Sequence, residues 1–269
     1  MNTYLPFEKH RTPNVMFGGS LNNDYVIAIP SYNRVDRLKT QTLPMLDSYN
    51  IPHSKIYIFT ANNKEFDLYK SSINSNYKFV KGVIKLHNQR NFISKYFKEG
   101  QRIVYIDDDI RQITKLGNKK LVRLPNLNTL ILKGFDTCYK NNLYFWGVYP
   151  VDNHFFMSNK ISLDLKFVPG GFFGIINRHD KDLLLTLNEK EDYERTLLFF
   201  KKDGGVVRFN YIGFKTKNYA VGGMSGNPKI RLDESKKNVK ILKQRYPDNV
   251  RIIEPTEEST HWELRLKGK

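Results

Sequence analysis

The sequence predicts an α/β fold with a mostly parallel sheet that is covered by helices, and a smaller, mixed β half after it. The first half alternates short runs of strand-forming residues with segments whose apolar residues recur at helical spacing, which is typical of a parallel sheet. In the second half, aromatic-rich runs and glycine pairs replace this alternation. We therefore expect an N-terminal arm at 1–23 and a single domain at 24–269, with halves at 24–125 and 126–269.

The chain is strongly basic. Its 269 residues include 44 Lys and Arg against 27 Asp and Glu, a formal net charge of +17. Such a charge favours a polyanionic partner, nucleic acid first and an anionic membrane surface second; the alternative is a solvated basic surface without a partner. Because Cys138 is the one cysteine, disulfides within the chain are excluded. With no long apolar run and no signal-peptide core, we expect a reducing, cytoplasmic location.

The first half contains four candidate strands. The apolar segment 25–30 ends at Pro30, and apolar residues at helical spacing follow from Val35. The other predicted strands lie at 55–61, 82–87 and 102–106, and the predicted helices at 64–73 and 88–98. This alternation places successive parallel strands side by side.

Three consecutive aspartates, Asp107, Asp108 and Asp109, follow the fourth strand. Three adjacent carboxylates are too costly to bury without partners, so we expect them at the end of the strand, where α/β sheets bind ligands. Carboxylates bind hard cations such as Mg²⁺ or Mn²⁺ together with phosphate oxygens. The aspartates therefore predict a metal and diphosphate site, and the alternative is a solvated acidic turn.

The second half mixes helices, strands and glycine-rich turns. Apolar residues at helical spacing after Asn126 predict a helix that packs into the core. We also expect a helix at 188–202, with acidic first turns that the helix dipole favours, and a helix-like stretch at 239–246 before a docked Trp262. The predicted strands lie at 143–151, at 167–176 with a diglycine break, and at 206–214, before a flexible stretch at 215–226.

Five short motifs occur in a characteristic order over roughly residues 24–200. They are Pro-Ser-Tyr-Asn-Arg at 30–34, His-Asn-Gln-Arg-Asn at 87–91, the aspartates at 107–109, Gly-Gly at 170–171 and Glu-Asp at 191–192. In order and spacing they resemble the P-x-Y-N-R, A-R-N, D-x-D, G-G and E-D motifs of GT-A-fold glycosyltransferases. The resemblance implies a GT-A-like fold in which 24–125 binds a nucleotide-sugar and 126–269 binds the acceptor.

For the nucleotide, the resemblance implies that the loop with Pro30, Tyr32 and Asn33 holds the base. It also implies that Arg90 and Asn91 touch the nucleotide at a helix start, where backbone N–H groups can face an anion. The alternative for Arg90 and Asn91 is simple helix capping.

For the diphosphate, Arg34 and Arg37 can offer forks of hydrogen-bond donors, although both can also be surface arginines at a helix start. Asp107 and Asp109 are alternate residues at a strand exit, so we expect both to face the metal. Asp108 is then expected to point the other way, towards the ribose or a backbone support; its alternative is a solvent-facing or supporting carboxylate.

For the acceptor, Gly170 and Gly171 would let the backbone approach the sugar closely, unless they form a β-bulge. The resemblance implies that the acid of the Glu-Asp pair is the catalytic base of an inverting reaction. We assign this role to Asp192, with Glu191 as its rival, and the alternative is an acidic first helical turn.

Other side chains are weaker candidates. His154, His179 and His261 are candidate extra metal ligands, but each is more simply an ordinary surface or core histidine. Trp146 and Tyr149 have rings that can stack on a sugar or a base, but core packing is favoured for both.

The small size, the basic charge and a glycine loop at 217–226 are similar to one group, the phage TET-associated glycosyltransferases, relatives of the kinetoplastid base J glucosyltransferase. This resemblance implies a UDP-sugar donor, a 5-hydroxymethylpyrimidine in DNA as the acceptor, and a phage-infected bacterial host. Three alternatives stay open: a glycan, lipid or protein acceptor; a catalytically dead, basic nucleic-acid-binding module; and a nucleotidyltransferase, which the Glu-Asp pair disfavours.

Overall fold

The computed structural model describes residues 24–73, 76–216, 228–256 and 262–268. The predicted arm at 1–23, the glycine loop at 217–226 and His261 lie outside these residues. Strands β1 to β6 are Tyr25–Ser31, Ile56–Thr60, Lys78–Lys81, Arg102–Ile106, Ile110–Leu116 and Leu121–Arg123. Strands β7 to β13 are Phe145–Val148, Ile161–Ser162, Phe172–Ile176, Val207–Phe209, Ile212–Thr216, Val250–Ile253 and Glu263–Leu266.

The helices lie close to the predicted positions. Helix α1, Val35–Arg37, continues through a π-helical turn, Leu38–Thr42, into α2, Leu43–Asp47. Pro44 lies in the first turn of α2, where its missing N–H costs no hydrogen bond. The longer helices α3 to α7 are Asn63–Ser72, Leu86–Tyr96, Leu127–Lys140, Glu191–Asp203 and Pro228–Arg245.

An eight-stranded sheet in the order β3-β2-β1-β4-β9-β7-β10-β8 forms the centre of the fold. Strands β1 to β4 pair in parallel, whereas β9 pairs antiparallel with both β4 and β7. Strand β10 runs parallel to β7, and the antiparallel β8 ends the sheet. The predicted α/β class with a mostly parallel sheet is confirmed, and strands of the second half extend the sheet of the first.

Apolar layers cover both faces of this sheet. On one face, α1, α2, α3 and α5 share a core with Ile27, Ile29 and Val104. On the other face, α4 and α6 share a core with Ala28 and Ile103. Neighbouring residues of one strand thus enter opposite cores, which explains why these strands are apolar without interruption.

Trp146 of β7 belongs to the core. It is fully buried, and a Cβ atom on Gly134 of α5 or Gly174 of β9 would lie 2.6 Å or 2.3 Å from its indole ring. The two glycines therefore make room for the ring between α5 and β9. The expected core role of Trp146 is confirmed.

Two smaller units flank the central sheet. Strands β11, β5 and β6 form an antiparallel sheet in that order, and β5 begins directly after Asp109. Strands β12 and β13 form a hairpin, which shares an apolar cluster with α6 and α7. Trp262 packs against this cluster, so the expected docking is confirmed.

Two predicted strands are wrong in position. The third strand is Lys78–Lys81 rather than 82–87, because α4 already begins at Leu86 and Gly82 leaves room for the Gln89 side chain. The segment 206–214 forms two strands in different sheets, separated at Asn210 and Tyr211. The sequence analysis also does not predict β5 and β6, whose short runs alternate irregularly between apolar and basic residues.

Candidate active site

The carboxyl ends of β1 and β4, the glycine turn before β9 and the start of α6 surround one cleft of about 430 Å³. Ten of the fourteen predicted site residues line this cleft: Pro30, Tyr32, Arg34, Asp107, Asp108, Asp109, Gly170, Gly171, Glu191 and Asp192. Residues from both halves of the chain therefore meet at the sheet edge where open α/β proteins bind ligands.

Asp107 faces the cleft, with 37% of its side chain exposed. Its Oδ1 atom accepts a hydrogen bond from Arg90 Nη2 at 2.9 Å, and its backbone N–H donates to the Gly171 carbonyl at 2.9 Å. Despite the exposure, desolvation by the surrounding protein raises the pKa of Asp107 to about 6, against the effect of Arg90. Asp107 thus connects the end of β4 with the glycine turn of the second half.

Asp108 and Asp109 share one arginine. Arg34 Nη1 lies 3.3 Å from Asp108 Oδ1 and 3.5 Å from Asp109 Oδ2, and Arg37 Nη1 lies 4.0 Å from Asp109. Asp108 is buried and accepts a 2.5 Å hydrogen bond from Ser31 Oγ. Burial raises the pKa of Asp108 to about 7 and also raises that of Asp109. Asp108 is therefore placed as a supporting carboxylate.

The loop after β1 is held by α3. The Asn33 N–H donates to Glu65 Oε2 at 2.8 Å, and the Arg34 N–H donates to Tyr69 Oη at 3.0 Å. Tyr69 Oη also lies 2.7 Å from Ser31 Oγ. These contacts fix the loop whose side chains reach the cleft.

Four of the predicted residues do not line the cleft: Asn33, Arg37, Arg90 and Asn91. The Arg90 side chain is buried beneath the surface of the cleft, where its Nη2 atom also donates to the Gly170 carbonyl at 2.9 Å. Asn91 is engaged elsewhere, because its Nδ2 donates to the Leu185 carbonyl at 2.8 Å and its Oδ1 accepts from the Leu185 N–H at 2.9 Å. Both side chains therefore connect α4 with the second half of the chain.

The diglycine precedes β9 and allows two close contacts. A Cβ atom on Gly170 would lie 2.9 Å from Glu191 Oε1, and one on Gly171 would lie 2.7 Å from the Phe214 ring. Because neither glycine adds a side chain, the turn brings bare backbone to the cleft surface. β9 begins at Phe172, so the diglycine does not break the strand.

The two acids at the start of α6 have different surroundings. Glu191 is buried and accepts a hydrogen bond from Arg195 Nη1 at 2.6 Å. Asp192 Oδ1 accepts from the Tyr193 N–H at 3.0 Å, and no lysine or arginine of the described residues lies within 4.0 Å of its carboxylate. Burial, and then repulsion from Glu191, raises the pKa of Asp192 to about 6. These effects outweigh the helix dipole, which favours the ionised form.

The C-terminal unit supports the start of α6. Lys190 Nζ lies 3.0 Å from Glu263 Oε1, and Asn238 Nδ2 donates to the Glu189 carbonyl at 2.9 Å. Sequence reasoning missed this support because the partners lie far apart in the chain and carry no motif. The position of the acidic pair therefore depends on α7 and the β12-β13 hairpin.

Helix starts around the cleft differ from those elsewhere. Asn33, Lys85 and Lys190, which lie at or next to the starts of α1, α4 and α6, have φ values of 54°, 74° and 65°. In these three helices the N-cap residue itself makes no side-chain cap, whereas Asn62 and Asn126 cap α3 and α5. The first N–H of α4, that of Leu86, instead donates to Asn188 Oδ1. Backbone strain of this kind concentrates at functional sites.

The aspartates suit a hard divalent cation. Asp107 and Asp109 supply the carboxylate oxygens that Mg²⁺ and Mn²⁺ prefer, and burial raises the pKa of both carboxyl groups, so a cation would stabilise their ionised forms. Within the described ranges, no three His, Cys, Asp or Glu side chains converge to hold a metal. His154 stacks on Phe155, His179 faces carbonyls at the end of α4, and neither lines the cleft. A cation here would take its other ligands from diphosphate and water.

Further residues line the cleft that the sequence analysis did not select, among them Ser31, Gln89, Asn188 and Phe214. Ser31 and Gln89 lie inside the motifs, so their positions were a usable signal. Asn188 accepts a hydrogen bond from the Leu86 N–H at 3.1 Å, and Phe214 lies on β11. Neither had a sequence signal, because each reaches the cleft through long-range packing.

The protein has the fold of GT-A glycosyltransferases. It is similar to a mannosyltransferase from Pyrobaculum calidifontis in complex with GDP-Man and Mn²⁺, with 11% identity and a TM-score of 0.50 over 83% of this chain and 64% of that one. It is also similar to a mycobacterial protein, with 7% identity and a TM-score of 0.51 over 92% of this chain and 85% of the other.

A third similar structure is residues 1–349 of Staphylococcus aureus TarS, with 12% identity and a TM-score of 0.45 over 70% of this chain. The chain spans 59% of that TarS structure and 64% of the mannosyltransferase. No family model and no curated protein matches the sequence. In the part of the chain that the structure describes, no helix combines the length and the apolar character that crossing a membrane requires.

Proposed function

We propose that the protein is a metal-dependent, inverting glycosyltransferase that moves a sugar from a nucleotide-sugar, a UDP-sugar in our proposal, to the hydroxyl of a 5-hydroxymethylpyrimidine in DNA. One observation carries the proposal: three aspartates of the first half and the Glu-Asp pair of the second half line the same cleft. Sugar transfer needs a charge-neutralising site for the leaving diphosphate and a base for the acceptor hydroxyl. The aspartates lie on the wall formed by the first half of the chain, the first-half wall, and would serve the diphosphate. The Glu-Asp pair lies on the wall formed by the second half, the second-half wall, and would supply the base.

The first-half wall suits the donor. Tyr32 offers a ring to the base, and Arg34 offers guanidinium N–H groups to a phosphate. Asp107 and Asp109 would hold Mn²⁺ or Mg²⁺, which when bound neutralises the charge that develops on the leaving diphosphate. Asp108, held by Ser31, keeps Arg34 in place through their 3.3 Å contact.

The second-half wall suits the acceptor. The backbone at Gly170 and Gly171 admits the donor sugar. Asp192 takes the proton of the acceptor hydroxyl while the hydroxyl oxygen forms a bond to the anomeric carbon of the sugar. The bond between that carbon and the diphosphate oxygen breaks at the same time. A pKa of about 6 leaves this carboxylate ionised at neutral pH. Glu191 is the weaker choice because Arg195 already occupies its carboxylate.

The acceptor is proposed from charge and from the narrower resemblance. A chain with a net charge of +17 attracts the phosphates of DNA. The 5-substituent of a pyrimidine lies in the open major groove, and reaction within the cleft further requires a single strand or an extruded base. A glycan, lipid or protein acceptor would use the same cleft residues, so the experiment must compare acceptors.

The test is sugar transfer to defined DNA. The protein is incubated with UDP-sugars, Mn²⁺ and DNA that contains 5-hydroxymethylcytosine or 5-hydroxymethyluracil. The DNA is then digested to nucleosides, and their masses are measured. We expect one added sugar with modified DNA, none with unmodified DNA, and transfer that is slower by roughly 10²- to 10⁴-fold with the Asp192→Asn variant. Transfer to a glycan or protein alone would contradict the DNA acceptor, and no UDP release with any donor and acceptor would contradict the transferase.

A further inference from the structure

The small sheet of β11, β5 and β6 carries only positive charge. Together with the β5-β6 turn, it contains six basic residues and no Asp or Glu: Arg111, Lys115, Lys119, Lys120, Arg123 and Lys215. We call it the basic sheet. At about 3.3 Å per residue and 4.8 Å between strands, the six charges span roughly 25 by 15 Å. The strand register places Arg111 and Lys115 on one face of the sheet and Arg123 and Lys215 on the other, with Lys119 and Lys120 in the turn.

Most of these charges are not neutralised by neighbouring acids. In the described ranges, no carboxylate lies within 4.0 Å of the exposed cations Arg111, Lys115, Lys119 and Lys120. Arg123 is also exposed, but its Nη2 atom donates to the Ser48 carbonyl and Oγ, and its guanidinium lies over the Tyr49 ring. Lys215 is the exception, since its Nζ atom lies 3.9 Å from Asp152 Oδ2. A surface of one sign raises the local concentration of a polyanion.

Two adjacent aromatic rings project beside this sheet, on the segment 149–158, which we call the aromatic loop. Phe155 is 80% exposed and Phe156 is 64% exposed, the highest values among the large hydrophobic residues that the structure describes. Exposed rings cost free energy in water, so two neighbouring ones indicate a contact surface.

The aromatic loop is fixed to the basic sheet at its first end and to the β10-β11 turn at its second end. The Tyr149 N–H donates to the Ile212 carbonyl at 2.8 Å, and the Ser158 N–H donates to the Asn210 carbonyl at 3.1 Å. Between them, Thr114 Oγ1 donates a short hydrogen bond to Asp152 Oδ1.

The tip of the loop is also ordered. The Phe155 N–H donates to Asn153 Oδ1 at 3.0 Å, and the Phe156 N–H donates to the Asn153 carbonyl at 3.2 Å. The two rings are therefore exposed although their backbone is held in one conformation.

We propose that the basic sheet and the aromatic loop bind a nucleic acid strand, with phosphates on Arg111, Lys115, Lys119 and Lys120 and unpaired bases stacked on Phe155 and Phe156. Rings that stack on bases, beside cations that follow the backbone, are the usual means of binding single strands. This inference depends on the proposed function in one respect, namely that the bound strand carries the acceptor base.

The basic sheet leads directly to the cleft. β5 begins one residue after Asp109, and β11 places Phe214 and Thr216 in the lining of the cleft. A strand on this surface can therefore extend towards Asp192 without leaving the protein.

The surroundings of the rings favour bases over a lipid surface. Asp152, Asn153 and His154 precede the rings, and Ser158 and Asn159 follow them. Insertion into a membrane needs a broad apolar face, whereas stacking needs only one ring face for each base.

The test measures the affinity for a fluorescent single-stranded 20-mer and its duplex as a function of salt. The charge variant combines Arg111→Glu, Lys115→Glu and Lys120→Glu. Its matched control combines Lys95→Glu, Lys98→Glu and Lys181→Glu, which remove the same charge from exposed positions elsewhere. We expect the charge variant to lose more than tenfold affinity and to lower the log–log salt slope by about 2, while the control retains the wild-type slope.

The ring variant combines Phe155→Ser and Phe156→Ser. Because stacking is insensitive to salt and two stacked bases are lost, we expect binding of the single strand to weaken at least about 30-fold with an unchanged salt slope. The duplex should lose less. Wild-type affinity of either variant, or equal losses in the charge variant and its control, overturns the proposal. The proposal is also overturned if the ring variant keeps its DNA affinity but no longer binds phosphatidylserine vesicles, or no longer self-associates.

Two further measurements separate this surface from the reaction. Asp107→Asn should stop sugar transfer and leave DNA affinity intact. If wild-type protein binds DNA through this surface but moves no sugar, the proposed transferase fails and the surface stands. If sugar moves to a free hydroxymethyl-nucleoside but the ring and charge variants bind DNA normally, the surface fails and the transferase stands.

Discussion

The first-half wall of the cleft pairs its aspartates with arginines, whereas the second-half wall leaves Asp192 without such a partner. Asp107 contacts Arg90 at 2.9 Å, and Asp108 and Asp109 share Arg34 at 3.3 and 3.5 Å. Among the described residues, the Asp192 carboxylate accepts a hydrogen bond from the Tyr193 N–H at 3.0 Å. Paired carboxylates are held in position, and an unpaired one can accept a proton. We therefore propose that the first wall binds the donor and that the second wall transfers the proton.

The largest expected effect concerns the first wall. Asp107→Ala or Asp109→Ala should lower kcat by about 10³-fold or more, because a metal contributes several kcal/mol to the stabilisation of the developing charge. Activity is measured as UDP release with Mn²⁺, and circular dichroism checks the fold. The matched control is Asp136→Ala, a half-buried carboxylate on α5 that lies outside the cleft and pairs with Lys140, and that should have no effect on kcat. Full activity in EDTA would remove the metal from the proposal.

The second wall should lose rate without losing binding. Asp192→Asn keeps the size of the side chain and removes its basicity, so kcat should fall roughly 10²- to 10⁴-fold with unchanged donor affinity. Glu191→Gln should cost less rate but lower the melting temperature, because Arg195 then stays buried beside a neutral group. If Glu191→Gln is the more damaging change to kcat, the base is Glu191. Loss of donor binding in Asp192→Asn would contradict the separation of the two walls.

The glycine turn between the walls should tolerate no side chain. In Gly171→Ala, the new Cβ atom would lie 2.7 Å from the Phe214 ring, which must then move into the cleft. A displacement of this kind can cost up to about 10²-fold in kcat/KM. The double variant Gly171→Ala/Phe214→Leu shortens the obstructing side chain and should recover part of the loss. No recovery would indicate that the backbone of the turn, and not the ring, is at fault.

The pH profile should report on the second wall. Because the pKa of Asp192 is raised to about 6, the base is protonated below that pH and ionised above it. We expect kcat to fall about tenfold per pH unit below 6 and to reach a plateau above about 7. The residual activity of Asp192→Asn should not show this decrease below pH 6. A profile that is flat between pH 5 and 8 would contradict Asp192 as the base.

The smallest expected effect is on stability. The folded-state pKa of Asp192 lies above its ordinary value of 3.8, so ionisation destabilises the folded state at pH 8, and the penalty shrinks as the pH falls through 6 towards 3.8. Asp192→Asn should therefore raise the melting temperature at pH 8 by about 2–5 °C and by less at pH 5. Calorimetry at both pH values measures this. An equal gain at both pH values would point to a cause other than charge.

Much of the fold follows from local sequence pattern. Continuous apolar runs at β1, β2 and β4 have the composition of strands that are buried on both faces. Helices α3 and α5 begin at Asn62 and Asn126, whose side chains cap them, so their starts can be read from the sequence. The edge strand β3 and the sheet of β5, β6 and β11 could not be predicted, because short strands depend on pairing with distant partners.

The sequence by itself determined which residues carry chemistry: the aspartates after β4, the loop after β1, the diglycine and the Glu-Asp pair are motifs of local composition. The tertiary structure decided what each residue contacts. It buried Arg90 beneath Asp107 and Gly170 and turned Asn91 to Leu185. Among the described residues, it placed Arg195 on Glu191 and no lysine or arginine within 4.0 Å of the Asp192 carboxylate. These assignments depend on desolvation and on distances between side chains from remote parts of the chain. A motif specifies residue types, and only packing sets such distances.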